Sequence, residues 1–415
     1  PVDAVGITSQ RASTIVWDRD TGEPVAPAQG WQDLRTVGRC LELGAEGIRL
    51  APNQSATKLA DILDNVDPER RRDLCFGTPD SWMIWRLTEG AHHVSDLSNA
   101  GVWGLLRGDA THYDAKVLER LRIPASVLPR LVDSTGPIGE ATLLAGAPPI
   151  CGIAGDQQSS LVGQGCVEPG RAKITFGTGG MLDVCLGETR PTFATRGGAG
   201  TFPIVCWRAD ERLTWGAEAI MLSAGTNVEW LRDDLGVIET ADESATVAAT
   251  VEHTEGVVYV PALLGLGTPH WDYGARGALM GVTRGTSRAH VVRAVLEGVA
   301  ERGADLVDAV EADTGVVLDA LRIDGGMSAN PVFVQHLANA TGRPVEVSPV
   351  REATTLGAGF LAGLAVGTWS GWDEIAATWR PATRVEPTGT TDRERWADAV
   401  ERAARWHPDL SALDF

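Results

Sequence analysis

From residue 290 onward the sequence changes its hydrophobic period repeatedly, and that alternation constrains the fold more than any other feature. His290 to Ala312 carries Val292, Val295, Leu296, Val299, Leu306 and Val310 near one face at helical spacing. "LDALRIDGG" then reads as a strand running into a turn, "SANPVFVQHLANATG" as a helix, "PVEVSP" as a strand and "ATTLGAGFLAGLAVG" as a helix. Helices that alternate with strands need a sheet whose faces they can cover, which predicts an α/β domain. Upstream, "RAKITFGTGGMLDVCLG" predicts two strands around a glycine turn, and "VVYVPALLGLG" a further apolar strand. "VDAVGIT" and "ASTIVWD" read as strands, and Ser55 to Val66 as a helix. "LRIPASVLPRLVDSTGPIGEA" is rich in Pro and Gly and predicts a connection across the surface, while "TDRERWADAVERAARW" predicts an exposed amphipathic terminal helix. The character of the chain changes near residue 165, so a boundary is expected between residues 158 and 168, with domains 1–165 and 166–415.

Composition narrows the function. A net charge of -19 over 415 residues argues against nucleic acid as partner and against docking on anionic membranes. It does not exclude an anionic ligand, because a glycine-rich backbone nest can bind phosphate inside an acidic protein. None of the six cysteines forms a C-x-x-C pair, so neither a zinc site nor a redox dithiol is indicated, and reduced cytoplasmic thiols are expected. The apolar stretch from Leu356 to Trp372 is short and heavy in Gly and Ala, which fits a close-packed buried helix better than a membrane span.

Three segments carry candidate chemistry, and each has a plainer reading. In "CGIAGDQQSS", Asp156 ends an apolar run, where a carboxylate can take a proton from a substrate hydroxyl or hold Mg²⁺ directly or through water. It can equally cap the helix that follows. In "TFGTGG", Thr175 to Gly180, the glycines allow close backbone approach to an anion and Thr178 adds a hydroxyl, although an ordinary hairpin turn uses the same residues. In "DGGMSAN", Asp324 to Asn330, a strand ends in glycines that leave room for a flat base, with Asn330 as a hydrogen-bonding partner. The alternative is a tight turn with a serine cap at Ser328.

"AVGITSQRASTIVWDRDTGEPVAPAQGWQDLRT", "GIAGDQQSSLVGQGCVEPGRAKITFGTGG", "PALLGLGTPHWDYGARGALMGVTRGTSRAHVVRAVLEGVAE" and "RIDGGMSAN" together resemble, in order, segments of the FGGY family of carbohydrate kinases, and within it the glycerol-phosphorylating branch. The resemblance covers nearly the whole chain. It implies the two-domain actin/hexokinase/Hsp70-like ATPase fold (ribonuclease H-like), with ATP and a polyol or sugar in the cleft between domains. It implies ATP and Mg²⁺, a γ-phosphoryl transfer to a polyol hydroxyl, and a homo-oligomer. By the same resemblance Asp156 is the base, and Arg11, Trp31 and Gln157 line the substrate pocket. Gly177 and Thr178 lie at the phosphates, and Gly225, Gly326 and Asn330 at the nucleotide.

The chain departs from the family at several points. Ala12 follows Arg11 where the family has a glutamate, Asn53 stands in place of a pocket tyrosine, and Met181 in place of a pocket phenylalanine. Glu229 replaces a glutamine near the nucleotide. Loss of a hydroxyl partner changes discrimination, so a pentulose or four-carbon polyol is an alternative substrate. The family's "D-x-G-T-T/S" phosphate loop does not occur in the sequence. From this the first domain is expected to be incomplete at its N-terminus, with an unpaired strand edge, and an inactive fragment or binding protein is a further alternative.

Overall fold

The computed structural model describes residues 2–414. In the first half, β1 (Val5–Ser9), β2 (Thr135–Glu140) and β3 (Pro149–Gly155) form a sheet of order β1-β3-β2, in which β1 runs parallel to β3 and β2 antiparallel. Beside it, α1 (Ser55–Val66) presents Leu59, Ala60, Ile62 and Leu63 to a core shared with Phe76 and Trp103. The stretch expected to be a surface connection differs from that reading. It contains Arg130–Val132, which pairs with Val94–Asp96, and the whole of β2. Its glycines fall inside or beside β2, where the pairing with β3 shifts register, so they mark an irregular strand rather than a loop.

The second half is built on seven strands: β4 (Ala172–Phe176), β5 (Gly180–Gly187), β6 (Phe202–Ala209), β7 (Arg212–Met221), β8 (Leu321–Asp324), β9 (Val345–Val347) and β10 (Thr383–Val385). Their order is β6-β7-β5-β4-β8-β9-β10. β4 and β5 make the expected glycine-turn hairpin. "VVYVPALLGLG" yields only the short strand Val258–Val260, because Pro261 has no N–H to continue a ladder.

Strand side chains alternate between faces. Ile174, Phe176, Leu182, Val184, Ala217, Ala219, Leu321 and Ile323 face a core covered by α3 (Arg288–Thr314) and α4 (Pro331–Thr341). The opposite face lies under α2 (Asp156–Gly163), which follows β3 without a linker. The late helix α5 (Ala353–Ala365) packs against α2 and against the first sheet. The two helices touch backbone to backbone: a Cβ on Gly357 would lie 1.8 Å from the Ser159 carbonyl oxygen. Thr135 Oγ1 of β2 donates to the Leu361 carbonyl at 2.6 Å, fixing α5 to the first sheet.

Candidate active site

Asp156 is the first residue of α2, directly after the buried end of β3. It does not cap the helix: Gly155 holds the N-cap position and no side-chain cap bond forms. A carboxylate in the first turn is favoured by the helix dipole. One oxygen, Oδ1, accepts from the Gln157 backbone N–H at 2.8 Å and lies 3.6 Å from Arg11 Nε. The side chain keeps 33% of its surface open, so it remains within reach of solvent. Burial pushes the carboxyl above its ordinary range, against the opposing pull of Arg11.

Arg11 lies in the turn after β1. Its Nη2 donates to Glu218 Oε2 of β7 at 2.6 Å, while Nη1 is buried and bonded to no protein atom among the described residues. Burial opposes the guanidinium charge, but Glu218 and Asp156 more than offset it and hold the group charged. The next residue, Ala12, has φ +60°, a left-handed conformation that costs a residue with a Cβ about 1–2 kcal/mol. Its carbonyl is held by Ser55 Oγ of α1 at 3.1 Å. Strain of this kind persists only where the surroundings impose it.

Glu218 belongs to a row that local sequence patterns do not reveal. Register pairs Glu218 with Asp183, Asp183 with Lys173, and Lys173 with Arg322, across β7, β5, β4 and β8 on the face beneath α2. Lys173 Nζ sits 2.7 Å from Asp183 Oδ2, with both side chains fully buried. Lys173 also donates to Gln157 Oε1 at 2.6 Å and to Thr175 Oγ1 at 3.0 Å. Arg322 Nη1 donates to the carbonyl of Gln164, the residue that ends α2. One cation therefore reaches the first turn of α2 through Gln157, and another satisfies a carbonyl at its C-terminal end, where a cation is favoured. Together they fix the axis that aims Asp156. Isolated charges at this depth cost several kcal/mol each, and removing one partner of such a pair costs about 3–5 kcal/mol. Burial, and the carboxylate of Asp183 beside it, push Glu218 up to about 7, while Arg11 pulls the other way.

The glycine segments converge next to this row. Gly225 N–H donates to the Gly177 carbonyl at 2.8 Å, and Ala224 N–H to the Thr178 carbonyl at 2.8 Å. A Cβ on Gly225 would lie 2.6 Å from the Gly177 carbonyl oxygen. Thr178 is exposed at the tip of the β4–β5 turn. β8 pairs with β4, bringing Asp324 opposite Thr175. Gly325, at φ +87°, crosses Phe176 so closely that a Cβ would meet its carbonyl oxygen at 2.3 Å. Gly326 opens onto free space. Glu229 is reached only through its backbone, whose N–H donates to the Gly225 carbonyl at 3.1 Å, and its side chain points to solvent.

Asn330 has a structural role of its own. Its Oδ1 accepts from Val332 N–H and Phe333 N–H, and its Nδ2 donates to Ser244 Oγ at 3.1 Å. It is the cap of α4, with Pro331 at the first helical position. Ser328 is not the cap: its hydroxyl closes the preceding turn on the Gly325 carbonyl at 2.7 Å.

On the first-domain side, Trp31 and Asn53 are exposed, and buried Lys58 joins their loops by donating to the carbonyls of Gly30 at 2.6 Å and Asn53 at 2.9 Å. Met181 lies on the same sheet face as the charged row, between Thr175 and Ile220. Lys58, Lys173, Asp183 and Glu218 were missed by sequence reasoning. A charged residue inside each apolar strand of a glycine-turn hairpin, at equal distances from the turn, was the available signal for Lys173 and Asp183.

Residues 1–163 match the N-terminal domain of the FGGY family of carbohydrate kinases, and residues 172–366 match its C-terminal domain. The chain belongs to this family. It is a kinase that phosphorylates an alcohol group. It is 44% identical to a glycerol kinase of Trichlorobacter lovleyi over 98% of this chain and 85% of the relative. It is 41% identical to a glycerol kinase of Deinococcus radiodurans over 99% and 85%. Among solved structures, Plasmodium falciparum glycerol kinase with ADP superposes with a TM-score of 0.89 at 31% identity, covering 97% of this chain and 84% of that one. A Brucella ovis xylulose kinase structure shares the fold, with a TM-score of 0.83 at 24% identity, covering 100% of this chain and 86% of that one. The N-terminal match runs over residues 1–163, and the expected incompleteness of the first domain is not shown. Among the described residues, no helix is long and apolar enough to cross a membrane.

Proposed function

We propose that the protein transfers the γ-phosphoryl group of MgATP to a hydroxyl of a small polyol, with glycerol as the leading substrate. The observation that carries this is the Arg11–Asp156 pair, joined through Gln157, Lys173 and Thr175 to the strand that leads into the turn at Gly177 and Thr178. A carboxylate able to accept a hydroxyl proton and a glycine-rich backbone turn thus share one hydrogen-bonded frame. In this reading Arg11 Nη1 donates to a substrate hydroxyl. Asp156 takes the proton of the attacking hydroxyl as its oxygen bonds to the γ-phosphorus and the bond to ADP breaks. Gly177, Thr178, Gly225 and Gly326 lie at the nucleotide in this reading, with open space over Gly326 and the exposed Thr178 hydroxyl toward the phosphates. Mg²⁺ is ordinarily held by one or two carboxylates plus substrate phosphates, and Asp156 fits that demand directly or through water. Once bound, the ion offsets phosphate charge. Trp31, Asn53, Gln157 and Met181 line the polyol side.

Ala12 favours a second reading, in which the substrate is a four-carbon polyol or a pentulose. A buried alanine leaves one fewer hydroxyl partner and more volume beside Arg11. Coupled ADP-release assays over glycerol, erythritol and xylulose decide between the two. Glycerol is expected to give the highest kcat/KM, and a larger substrate exceeding it tenfold overturns that choice. The division into domains 1–165 and 166–415, a homo-oligomeric state and a cytoplasmic location belong to the same reading, supported by family membership. Light scattering tests the oligomeric state.

A further inference from the structure

The charged row beneath α2 has no counterpart among the groups that bind substrate, yet it ends on one of them. Arg11 has two anionic neighbours, and they are not equal. Glu218 binds Nη2 at 2.6 Å, whereas Asp156 stands 3.6 Å from Nε. An arginine placed between two carboxylates moves to the one that binds it better, and a charge-assisted hydrogen bond is shortest and strongest at 2.7–2.9 Å or below. The Glu218 contact therefore keeps Arg11 from closing on Asp156. Glu218 is buried on β7, Asp183 lies opposite it in register, and Lys173 neutralises Asp183 at 2.7 Å. The residue that follows Arg11, Ala12, brings no carboxylate of its own.

We propose that Glu218 is the positioning residue for Arg11, holding the guanidinium off Asp156 so that Nη1 meets the substrate hydroxyl and the Asp156 carboxylate stays available for its proton. Asp183 and Lys173 act behind it as the fixed support. This rests on the kinase reading above. Without Glu218, Arg11 swings onto Asp156, forming a bidentate pair that occupies both the hydroxyl donor and the proton acceptor.

The test uses the full chain and the variants Glu218→Gln, Glu218→Asp and Glu218→Leu, with thermal unfolding to confirm folding. On the best polyol of the wild type, Glu218→Gln is expected to lower kcat/KM for the polyol on the order of 10²-fold, the loss that a misplacement of about 1 Å can bring. KM for ATP should stay within about twofold, and Glu218→Asp should recover part of the loss, as a positioning role requires. Equal losses for ATP and polyol, or turnover by folded Glu218→Gln within twofold of wild type, overturn the proposal. Crystal structures of wild type and Glu218→Gln give a readout independent of turnover: Arg11 is expected to leave β7 and pair with Asp156, and an unmoved Arg11 overturns the inference. Wild-type protein inactive on every polyol refutes the kinase substrate reading while leaving that structural test in force. If Glu218→Leu does not fold, the isosteric Glu218→Gln still decides the matter.

Discussion

Two strand-to-helix junctions, linked by the Ser160–Asp324 hydrogen bond, use their polar residues in opposite ways. At β3–α2 the helix begins on Gly155 with no side-chain cap, and Asp156 is left partly open beside a buried arginine. At β8–α4 the polar groups are engaged in structure: Asn330 caps the helix, Ser328 closes the turn, and Asp324 accepts from Ser160 Oγ at 3.2 Å. What the second junction offers a ligand is its backbone and the open space over Gly326. Reactive side chains are thus found where local structure does not need them, and the empty, glycine-lined surface where it does.

The comparison predicts opposite phenotypes for one substitution at each junction. Asp156→Asn should lower kcat about 10²–10⁴-fold, the usual contribution of a positioned general base, with a melting temperature near wild type. Asn330→Ala should instead cost about 0.5–2 kcal/mol of stability through the lost cap, with kcat changed only a few-fold. A stable but inactive Asn330→Ala protein would reverse the assignment of the two junctions. Steady-state kinetics and thermal melts on the same preparations read both.

Adjacent glycines sharpen the contrast within the second junction. Gly326→Leu should raise KM for ATP roughly tenfold, the effect of about 1.4 kcal/mol of lost binding, with little change in stability. Gly325→Ala meets a backbone oxygen at 2.3 Å from a left-handed conformation, so its effect should fall on stability. Isothermal calorimetry with a non-hydrolysable ATP analogue separates the two.

The smallest effect is in pH dependence. Asp156 must be ionised to accept a proton, so kcat/KM falls as pH falls through its pKa. Burial raises that value and also pushes Glu218, which must be ionised to hold Arg11, up to about 7, so the acid limb should lie above the ordinary carboxylate midpoint of about 3.9. Asn330→Ala should leave the limb where it is. A limb at or below the ordinary midpoint would contradict the desolvated setting of Asp156.

Sequence patterns revealed what is local. The long helix α3, the β4–β5 hairpin and α5 were legible because periodicity within a dozen or so residues encodes them. Asp156 was legible because a lone carboxylate between an apolar strand and a helix has few explanations. The row Glu218–Asp183–Lys173–Arg322 was not, because only the register of four strands brings together residues far apart in the chain. Asn330 shows the converse, because the structure gives it a local role that its place in the sequence only half suggests. Its type suits a base contact, but an asparagine before proline also suits a helix cap, and the local bonds decide.

The seat of α5 on the first sheet has a consequence during synthesis. The strands β1, β2 and β3 leave the ribosome complete by residue 155, but the helix bonded to them at Leu361 is made some two hundred residues later. At about 5–20 residues per second, that sheet waits roughly 10–40 s for its cover. The nascent first half must stay soluble through that interval with one face bare, which makes it a natural client for ribosome-associated chaperones.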